Sequence, residues 1–311
     1  MSLTVVGSIA FDAVETPAGK RPRLLGGSAV HFSLASSFFT DTSVVGPVGD
    51  DFGVEEYAVL HARGVDTGDI EHVAGGKTFF WSGRYGRDVN NRETLETDLN
   101  VFETFKPKLS DAARAADVLF LANIQPDLQR EVAEQCGAAR FTALDSMNLW
   151  IDIARPSLIK TIGLVDCVLV NDGEIKQLTD EPNLIRAAQK LLELGPSVVV
   201  AKQGEYGSAM FTRDGYFAIP AYPTPDVVDP TGAGDTFAGG FVGSIAARID
   251  EGVSDDALRR AMAYGTALAS FNVEAFGTER IQTLTADEIA ERVAVLERAT
   301  RFDGAATALR D

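Results

Sequence analysis

The sequence predicts an α/β protein with a doubly wound, mostly parallel sheet, helices on both of its faces, and a small β-sheet lid. Two observations indicate the main sheet: short apolar strands recur along the chain, and helix-like stretches separate them. Strands that alternate with helices form βαβ units with right-handed connections. A third observation indicates the lid, since residues 10–25 and 75–105 interrupt the alternation. We therefore expect one domain over residues 1–311 that includes this lid.

The strands of the main sheet are short runs of apolar and β-branched residues, as is typical of strands buried on both faces. They are predicted at 3–9, 43–48, 118–121, 141–144, 167–170 and 198–201. Helices are predicted from Gly26-Gly27-Ser28 to about residue 39, and at 52–63, 126–136, 149–162, 172–179 and 183–194. The C-terminal third is helical at 234–248, 254–272 and 286–300. Thr285 and Glu288 form a capping box ahead of the last helix.

The lid segments combine strand-like runs with turn signals. Residues 77–83 and 92–97 have the pattern of two strands joined by a polar connection, and Pro17-Ala18-Gly19 marks a turn. Three aromatic residues lie in the lid: Phe79, Trp81 and Tyr85. They suit a cover over a sugar or a base, or packing of the lid against itself or against a second subunit. Because a small sheet has open edges, we expect a homodimer that forms through the lid.

The composition excludes several classes of protein. The chain has 28 Lys and Arg against 45 Asp and Glu, a net charge of −17, and no basic run. Nucleic-acid binding and contact with anionic lipid are therefore excluded, because both need clustered positive charge. No run of about 18 apolar residues occurs and no signal peptide is visible, so we expect no membrane partner and a cytoplasmic location. Two cysteines outside any CxxC pair and three histidines leave little material for disulfides, zinc sites or histidine triads.

The glycine-rich segment from Asp229 to Phe241 has the clearest chemical pattern. Small residues let the backbone approach a ligand, and the helix that begins there adds its dipole, so this segment suits an anion. Asp235 would repel that anion, which is useful only if the carboxylate accepts a proton from an attacking hydroxyl group. The structural alternative is a tight turn with an aspartate in the first helical turn, where its charge favours the dipole. The spacing alone leaves both interpretations open.

Two other glycine patterns do not complete a nucleotide-binding motif. A dinucleotide fingerprint that begins at Gly232 would need glycine where Phe237 stands. A P-loop that ends at Gly76-Lys77-Thr78 would need glycine where Glu71 stands. Both motifs are therefore rejected.

Several short motifs occur in one order along the chain. Asp12 follows the first strand, and the paired glycines Gly26-Gly27 precede V-G-D-D-F-G at 48–53. The later motifs are Asn171-x-x-Glu174, Lys202-x-Gly204-x-x-Gly207, and D-P-T-G-A-G-D-T-F-A-G-G-F at 229–241. Each is weak alone, but together and in this order they resemble the ribokinase/PfkB carbohydrate kinase family over about residues 5–280. The resemblance implies a doubly wound α/β domain with a β-sheet lid, and ATP as the phosphoryl donor.

The resemblance also implies a phosphoryl-transfer site. Asp235 would be the base, and the amides of Gly232, Ala233 and Gly234 would form an anion hole for the transferring γ-phosphoryl group. The implied ATP contacts are Asn171, Lys202, Gly204, Gly207, Thr231 and Asn272. Glu174 would act on Mg²⁺ through water, although Asn171 and Glu174 also suit a helix N-cap. Asp229 and Thr231 would share a monovalent cation, with K⁺ as the expected ion.

The resemblance implies acceptor contacts at Asp12 and the paired glycines, and the ends of strands suggest further ones. Together they are Asp12, Gly26, Gly27, His31, Asn123 and Asp145. His31 stands where the family often has asparagine, and a lone histidine on an apolar helix is also typical of a buried structural residue. Asn123 and Asp145 follow strand ends, where α/β sheets bind ligands. Three lid arginines are either solvated or placed to meet an anionic acceptor: Arg84, Arg87 and Arg92.

These observations predict an ATP- and Mg²⁺-dependent kinase that phosphorylates a hydroxymethyl group of a small sugar. A nucleoside kinase of the same family is the second interpretation, because a ribose is also a polyol and the lid is aromatic. A catalytically silent regulator that binds a nucleotide or a sugar is the third. Phe237 argues against a dinucleotide-dependent oxidoreductase.

Overall fold

The computed structural model describes residues 1–301 and contains two β-sheets, a large one with nine strands and a small one with four. In chain order the strands are β1 (Ser2–Val6), β2 (Ala10–Thr16), β3 (Gly19–Gly26), β4 (Asp41–Val48), β5 (Asp66–His72), β6 (Phe79–Tyr85), β7 (Arg92–Asp98), β8 (Val118–Leu121), β9 (Phe141–Leu144), β10 (Cys167–Asn171), β11 (Val198–Lys202), β12 (Ser208–Thr212) and β13 (Tyr216–Ile219).

The large sheet has the strand order β13-β12-β11-β10-β9-β8-β1-β4-β5. All neighbours from β11 to β5 are parallel, and β12 and β13 add an antiparallel hairpin at one edge. The first strand is central, since Leu3 pairs with Thr42 of β4 on one side and with Val118 of β8 on the other. The order reverses at this strand, so the carboxyl ends of the strands form a crevice there that suits a ligand.

The helices cover both faces of the large sheet. They are α1 (Ser28–Ser36), α2 (Val54–Ala62), α3 (Asp111–Arg114), α4 (Pro126–Gln135), α5 (Asn148–Ile153), α6 (Arg155–Ile162), α7 (Asp172–Thr179), α8 (Leu184–Leu192), α9 (Ala233–Ala246), α10 (Asp255–Asn272), α11 (Glu279–Thr283) and α12 (Ala286–Thr300). Alternate residues of a strand point to opposite faces. Leu3 and Val5 accordingly pack in a core with α1, α9 and α10, while Val6 packs in a second core with α4, α6 and α8.

The small sheet has the order β3-β2-β6-β7, with β2 and β6 parallel and the outer pairs antiparallel. Its strands come from the two segments that interrupt the α/β alternation. Val14, Tyr85 and Phe276 form a buried cluster beneath it. The glycine-rich segment before α9 lies close to this sheet, because the hydroxyl groups of Tyr85 and Thr231 are 3.2 Å apart.

The predicted fold class is confirmed: a mostly parallel sheet with helices on both faces and a separate small sheet. Several elements differ from the expectation, among them the short helices α3 and α11 and the edge strand β13, which the sequence-based prediction lacks. Strand β5 is absent from the sequence-based prediction, and the predicted helix at 149–162 is two helices that are broken at Ala154. In the described part of the chain, no helix is both long and apolar enough to span a membrane.

Helices α1 and α9 approach each other closely through glycines. Every residue of α1 is buried. A Cβ atom on Gly239 would clash with the carbonyl oxygen of Phe32 and would lie 2.7 Å from the Cβ of Ala35, and one on Gly243 would lie 2.9 Å from the Cα of Ser36. This contact fixes the position of α9, whose first turn contains Asp235.

Candidate active site

The N-terminus of α9 forms the centre of the site. Gly232 is its N-cap in the left-handed conformation (φ 74°, ψ 0°), which glycine adopts without strain. Gly234 and Asp235 lie in the first turn, where backbone N–H groups point out of the helix end. The N–H of Ala233 donates to the carbonyl of Pro230 (3.2 Å). Of the three backbone amides predicted for the anion hole, the amide of Ala233 therefore already donates a hydrogen bond within the protein.

A buried network holds this glycine loop from below. The Nδ2 of Asn272 donates to the carbonyl of Thr231 (2.7 Å), so its Oδ1 faces two donors, the hydroxyl of Thr236 (3.0 Å) and Nδ1 of His31 (3.1 Å). The ring of His31 lies against Gly232, where any Cβ atom would overlap it. Asn272 and His31 are both buried, and their contacts support the loop.

Asp229 ties the same loop to the segment after α10. Its carboxylate is fully buried, and its two oxygens accept the N–H groups of Thr231 (2.9 Å) and Gly277 (2.9 Å). Within residues 1–301 it forms no ion pair. A buried carboxylate without a cation is costly, and a monovalent cation beside it would lower that cost.

On the other side of the loop, Lys202 and Asp145 form an ion pair at the ends of β11 and β9. The Nζ of Lys202 lies 2.7 Å from Oδ2 of Asp145, and both side chains are mostly buried. A Cβ atom on Gly234 would lie 3.1 Å from this Nζ, so the ammonium group borders the helix end. Burial lowers the pKa of Lys202, but the carboxylates of Asp145, Glu174 and Asp235 outweigh burial and raise it above its ordinary value. Lys202 therefore stays charged beside the predicted phosphate position.

Asp235 and Glu174 both hold protons more tightly than ordinary carboxyl groups. Burial raises the pKa of Asp235 to about 7, with a further contribution from the charge of Asp145. Burial and the charge of Asp145 likewise raise the pKa of Glu174 to about 7. A carboxyl group whose pKa is near the working pH is well suited to accept a proton during a reaction.

Asn171 and Glu174 form a reciprocal capping box at the start of α7. Asn171 Oδ1 accepts the N–H of Glu174 (2.8 Å), and Glu174 Oε2 accepts the N–H of Asn171 (2.8 Å). The helix N-cap that the sequence also suits is therefore formed. Oε1 of Glu174 is the carboxylate oxygen that remains for another partner.

The arrangement fits Mg²⁺ only with the help of substrate and water. Among residues 1–301, no three His, Cys, Asp or Glu side chains lie together in a way that could hold a metal. Mg²⁺ commonly takes one or two carboxylates, several waters and substrate phosphates. Glu174, close to Asp145 and Lys202, offers such a carboxylate.

Asp12 lies on the small-sheet side of the cleft. It is buried, it belongs to β2, and it lies against Gly26, where any Cβ atom would overlap its carboxylate. Gly27 (φ 95°) would clash with the carbonyl of Ser8 if it had a side chain. Burial raises the pKa of Asp12 to about 7, and the charges of Asp229 and Asp235 add to this effect. Asp12 and Asp235 are thus close enough to influence each other across the cleft.

The loop after β11 contains the two glycines for which the resemblance implies a contact with the nucleotide. Gly204 (φ 55°) and Gly207 (φ 96°) both have positive φ, and Gly207 packs against the backbone of Ile219 and Ala221. A Cβ atom on Gly204 would lie 2.6 Å from Oδ1 of Asn90. Asn90 belongs to the connection between β6 and β7, so the tip of the small sheet reaches the loop after β11.

The structure brings most of the expected site residues together, but not all. Asn123 lies at the end of β8, and its amide is occupied by Nε1 of Trp150 (2.9 Å) and by the sulfur of Met147 (3.1 Å). Asp145 pairs with Lys202 beside the N-terminus of α9, and its predicted contact with the acceptor stays a prediction. The contact between Tyr85 and Thr231 was not expected. The alternation of Trp81, Gly83 and Tyr85 is the sequence signal that places Tyr85 on the inner face of the small sheet.

Comparisons with known proteins show the family through the sequence and the fold through the structure. Residues 3–284 match the pfkB family of carbohydrate kinases. A nucleoside kinase from Methanothermobacter thermautotrophicus is 29% identical over 308 residues, which cover 89% of this chain and 91% of that protein. An ATP-dependent ribose-1-phosphate kinase from Halopiger xanaduensis is 29% identical over 251 residues, 78% of this chain and 80% of that protein. The structure of Arabidopsis thaliana ribokinase with ribose and ATP superposes with a TM-score of 0.72 at 22% identity and covers 94% of this chain and 98% of that one.

Proposed function

The chain belongs to the pfkB family of carbohydrate kinases, and from this we propose that it transfers the γ-phosphoryl group of ATP to a hydroxymethyl group of a ribofuranose. The acceptor is then a small sugar that contains this ring, such as ribose or a ribose derivative, or else a nucleoside. The names of the relatives support this choice, because nucleosides and ribose 1-phosphate share the ribose unit. The observation that carries the proposal is Asp235 in the first turn of α9, beside Lys202 and opposite Asp12.

In this proposal Asp235 takes the proton of the attacking hydroxyl group. The hydroxyl oxygen then forms a bond to the γ-phosphorus, the bond from that phosphorus to the β–γ bridging oxygen breaks, and ADP leaves with the electron pair. The amides of Gly232 and Gly234 and the ammonium of Lys202 face the negative charge on the transferring group. Because phosphoryl transfer depends mainly on position and charge, these groups supply most of what the chemistry needs.

Asp12 would hold the acceptor by accepting hydrogen bonds from two of its hydroxyl groups. Gly26 and Gly27 leave room for the ring beside this carboxylate. Lys202, Gly204 and Gly207 would border the phosphates and the nucleotide. Asn272 donates to the carbonyl of Thr231 in the glycine loop, and this contact supports a role in positioning that loop for ATP.

Two ions complete the proposal. Mg²⁺ would be held by Glu174 through water and by the ATP phosphates, and it would neutralise charge on those phosphates. A monovalent cation, K⁺ by expectation, would lie beside the buried carboxylate of Asp229. The catalytically silent regulator is disfavoured because the chain retains both Asp235 and Lys202 in the cleft.

An ADP-release screen over ribose, other small sugars and nucleosides tests the proposal. We expect ADP release only with an acceptor present. The D235N variant keeps the shape of the side chain and removes the proton acceptor, so turnover should fall by about 10²–10⁴-fold while ATP binding is retained. ADP release without any acceptor, or a D235N variant with near-native turnover at saturating substrate, would contradict the proposal.

A further inference from the structure

The inner face of the small sheet presents a cation, Arg92, to the cleft. Arg92 of β7 and Tyr85 of β6 are cross-strand partners, so their side chains lie on the same face of the sheet. The hydroxyl of Tyr85 reaches Thr231 beside the glycine loop (3.2 Å). Arg92 therefore faces the cleft.

The side chain of Trp81 lies between Arg92 and the backbone of the small sheet at Gly83. The guanidinium carbon of Arg92 lies 5.4 Å from the centre of the Trp81 ring, and the indole lies over Gly83, where any Cβ atom would overlap it. Trp81 is in turn the partner of Asp12 in the register between β6 and β2. One face of the small sheet thus presents an acceptor carboxylate, an aromatic ring and a guanidinium group side by side.

The charge of Arg92 is available for a ligand. Within residues 1–301 it forms neither an ion pair nor a hydrogen bond, whereas Arg84 on the opposite face of β6 pairs with Glu15 (3.2 Å) and Glu93 (3.7 Å). Asp12, Glu174 and Asp235 all sense its charge, since burial raises the pKa of each and Arg92 lowers it. The guanidinium group is thus close enough to the cleft to influence all three carboxyl groups.

The transferred phosphoryl group already has a cation of its own. Lys202 borders the N-terminus of α9 from the large sheet, on the nucleotide side. Arg92 lies on the small sheet with Asp12, on the acceptor side. In a chain of net charge −17, an anionic acceptor needs such a local cation to enter the cleft.

We propose that Arg92 forms a second anion subsite, and that the acceptor is a ribofuranose with a phosphate group at the carbon opposite its hydroxymethyl arm. This inference rests on the proposed function and narrows its substrate class. The planar guanidinium group donates two parallel hydrogen bonds to phosphate oxygens, a geometry that an ammonium group does not provide. The ring of the acceptor lies against Trp81, and its hydroxymethyl arm points to Asp235.

A matched pair of acceptors tests the inference. Ribose 1-phosphate and methyl ribofuranoside share the ring and the hydroxymethyl group, but only the first carries a phosphate. We expect kcat/KM for ribose 1-phosphate to exceed that for the methyl riboside, and R92M to reduce this ratio by about tenfold or more. R84M, on the outer face of the same sheet, is the control and should leave the ratio unchanged.

A direct binding measurement separates this role from a general loss of activity. In titration calorimetry without nucleotide, R92M should weaken ribose 1-phosphate binding by about tenfold or more, and R84M should not. R92K keeps a positive charge without the planar fork, so its affinity should fall between those of the native protein and R92M. It also provides a folded variant if R92M fails to fold.

The contrary outcomes are distinct. Equal or better use of methyl ribofuranoside or cytidine would overturn the inference and leave the proposed kinase function intact. An R92M variant that slows both acceptors equally, with unchanged binding of ribose 1-phosphate, would assign Arg92 to the transferred phosphoryl group and also overturn it. Absence of ADP release with every acceptor would instead contradict the proposed function itself.

Discussion

Three carboxyl groups in the cleft share an environment that favours their protonated forms. Burial raises the pKa of Asp12, Glu174 and Asp235 to about 7 each. In the unfolded chain they ionise near pH 4. Between about pH 4 and pH 7 the folded protein therefore binds more protons through these groups, and their contribution to stability falls as the pH rises. His31 opposes this trend, because burial lowers its pKa to about 4 and the folded state keeps it neutral.

We therefore predict that activity and stability respond to pH in opposite directions through Asp235. Turnover should rise as the pH increases through about 7, because the base must be ionised to accept a proton. The D235N variant lacks one of the groups whose contribution to the stability of the folded protein falls in this pH range. The difference in Tm between D235N and the native protein should accordingly grow in favour of D235N from about pH 4 to pH 7. Thermal melts of both proteins across this range check it, and a constant difference would contradict it.

His31 is expected to act on turnover through the glycine loop. Its Nδ1 donates to Oδ1 of Asn272, which leaves Nε2 buried without a partner among the described residues. H31A removes both this bond and the ring that supports Gly232, so kcat should fall by about tenfold, with the KM for ATP changed much less. H31N retains a donor for Asn272 and should recover part of the loss. If kcat is native in H31A at a temperature where it is fully folded, the ring has no positioning role.

The residues of the site differ in how far the sequence could identify them. Asp235 and its glycines lie within one segment, so spacing alone indicates their chemistry. The pair of Lys202 with Asp145 joins residues 57 apart, and the bond from His31 to Asn272 spans 241 residues. No local pattern contains such contacts. The fold creates them by bringing strand ends and α10 to one place, which also sets Asn272 against the carbonyl of Thr231.

At the scale of elements, the packing of α1 on α9 depends on residues without side chains. A methyl group on Gly239 would clash with the backbone of α1, and that backbone cannot move without displacing the sheet beneath it. We predict that G239A lowers the free energy of unfolding by about 1–3 kcal/mol. G137A is the matched control, because nothing lies within 4 Å of a Cβ atom there. Chemical denaturation measures both, and equal effects would show that the contact between the helices tolerates a methyl group.

The prediction of elements succeeded where strands are apolar and failed where tertiary context decides. Strands β8 and β9 and helix α7 have the predicted bounds, because buried parallel strands and capped helices have strong local patterns. Strand β5 has the sequence D-T-G-D-I-E-H and is an edge strand that is exposed along most of its length. Because its residues are mostly polar, it lacks the apolar pattern by which the other strands are predicted. Helices α5 and α6 are separate because Pro156 cannot donate the N–H that a continuous helix requires.

At the scale of the whole molecule, the outer strands of the small sheet, β3 and β7, each have a partner on one side only within the described chain. All seven residues of β7 are exposed, including Leu95. An open strand edge pairs readily with another strand, so we predict a homodimer that forms through this sheet. L95E should shift sedimentation at micromolar concentration toward the monomer, whereas L164E, at an exposed leucine on the large-sheet side, should not. A native protein that sediments as a monomer would contradict the prediction.

Trp81, for which the sequence leaves open a cover over the acceptor or packing against a second subunit, lies on the inner face beside Arg92. We therefore predict that W81E raises the KM for the acceptor by about tenfold, because it removes an apolar ring and adds a negative charge in the cleft, with little change in ATP affinity. Steady-state kinetics with each substrate varied in turn measures this effect. An unchanged acceptor KM would contradict it.

The central position of β1 also has a consequence during synthesis of the chain. Leu3 pairs with Thr42 on one side, but its other partner, Val118, is made 115 residues later. At about 5–20 residues per second, one edge of this strand waits roughly 6–23 s for β8 to emerge from the ribosome. During that interval an apolar strand with unpaired backbone groups can join a neighbouring nascent chain. The strand that organises the crevice is thus exposed during an interval in which a chaperone can protect it.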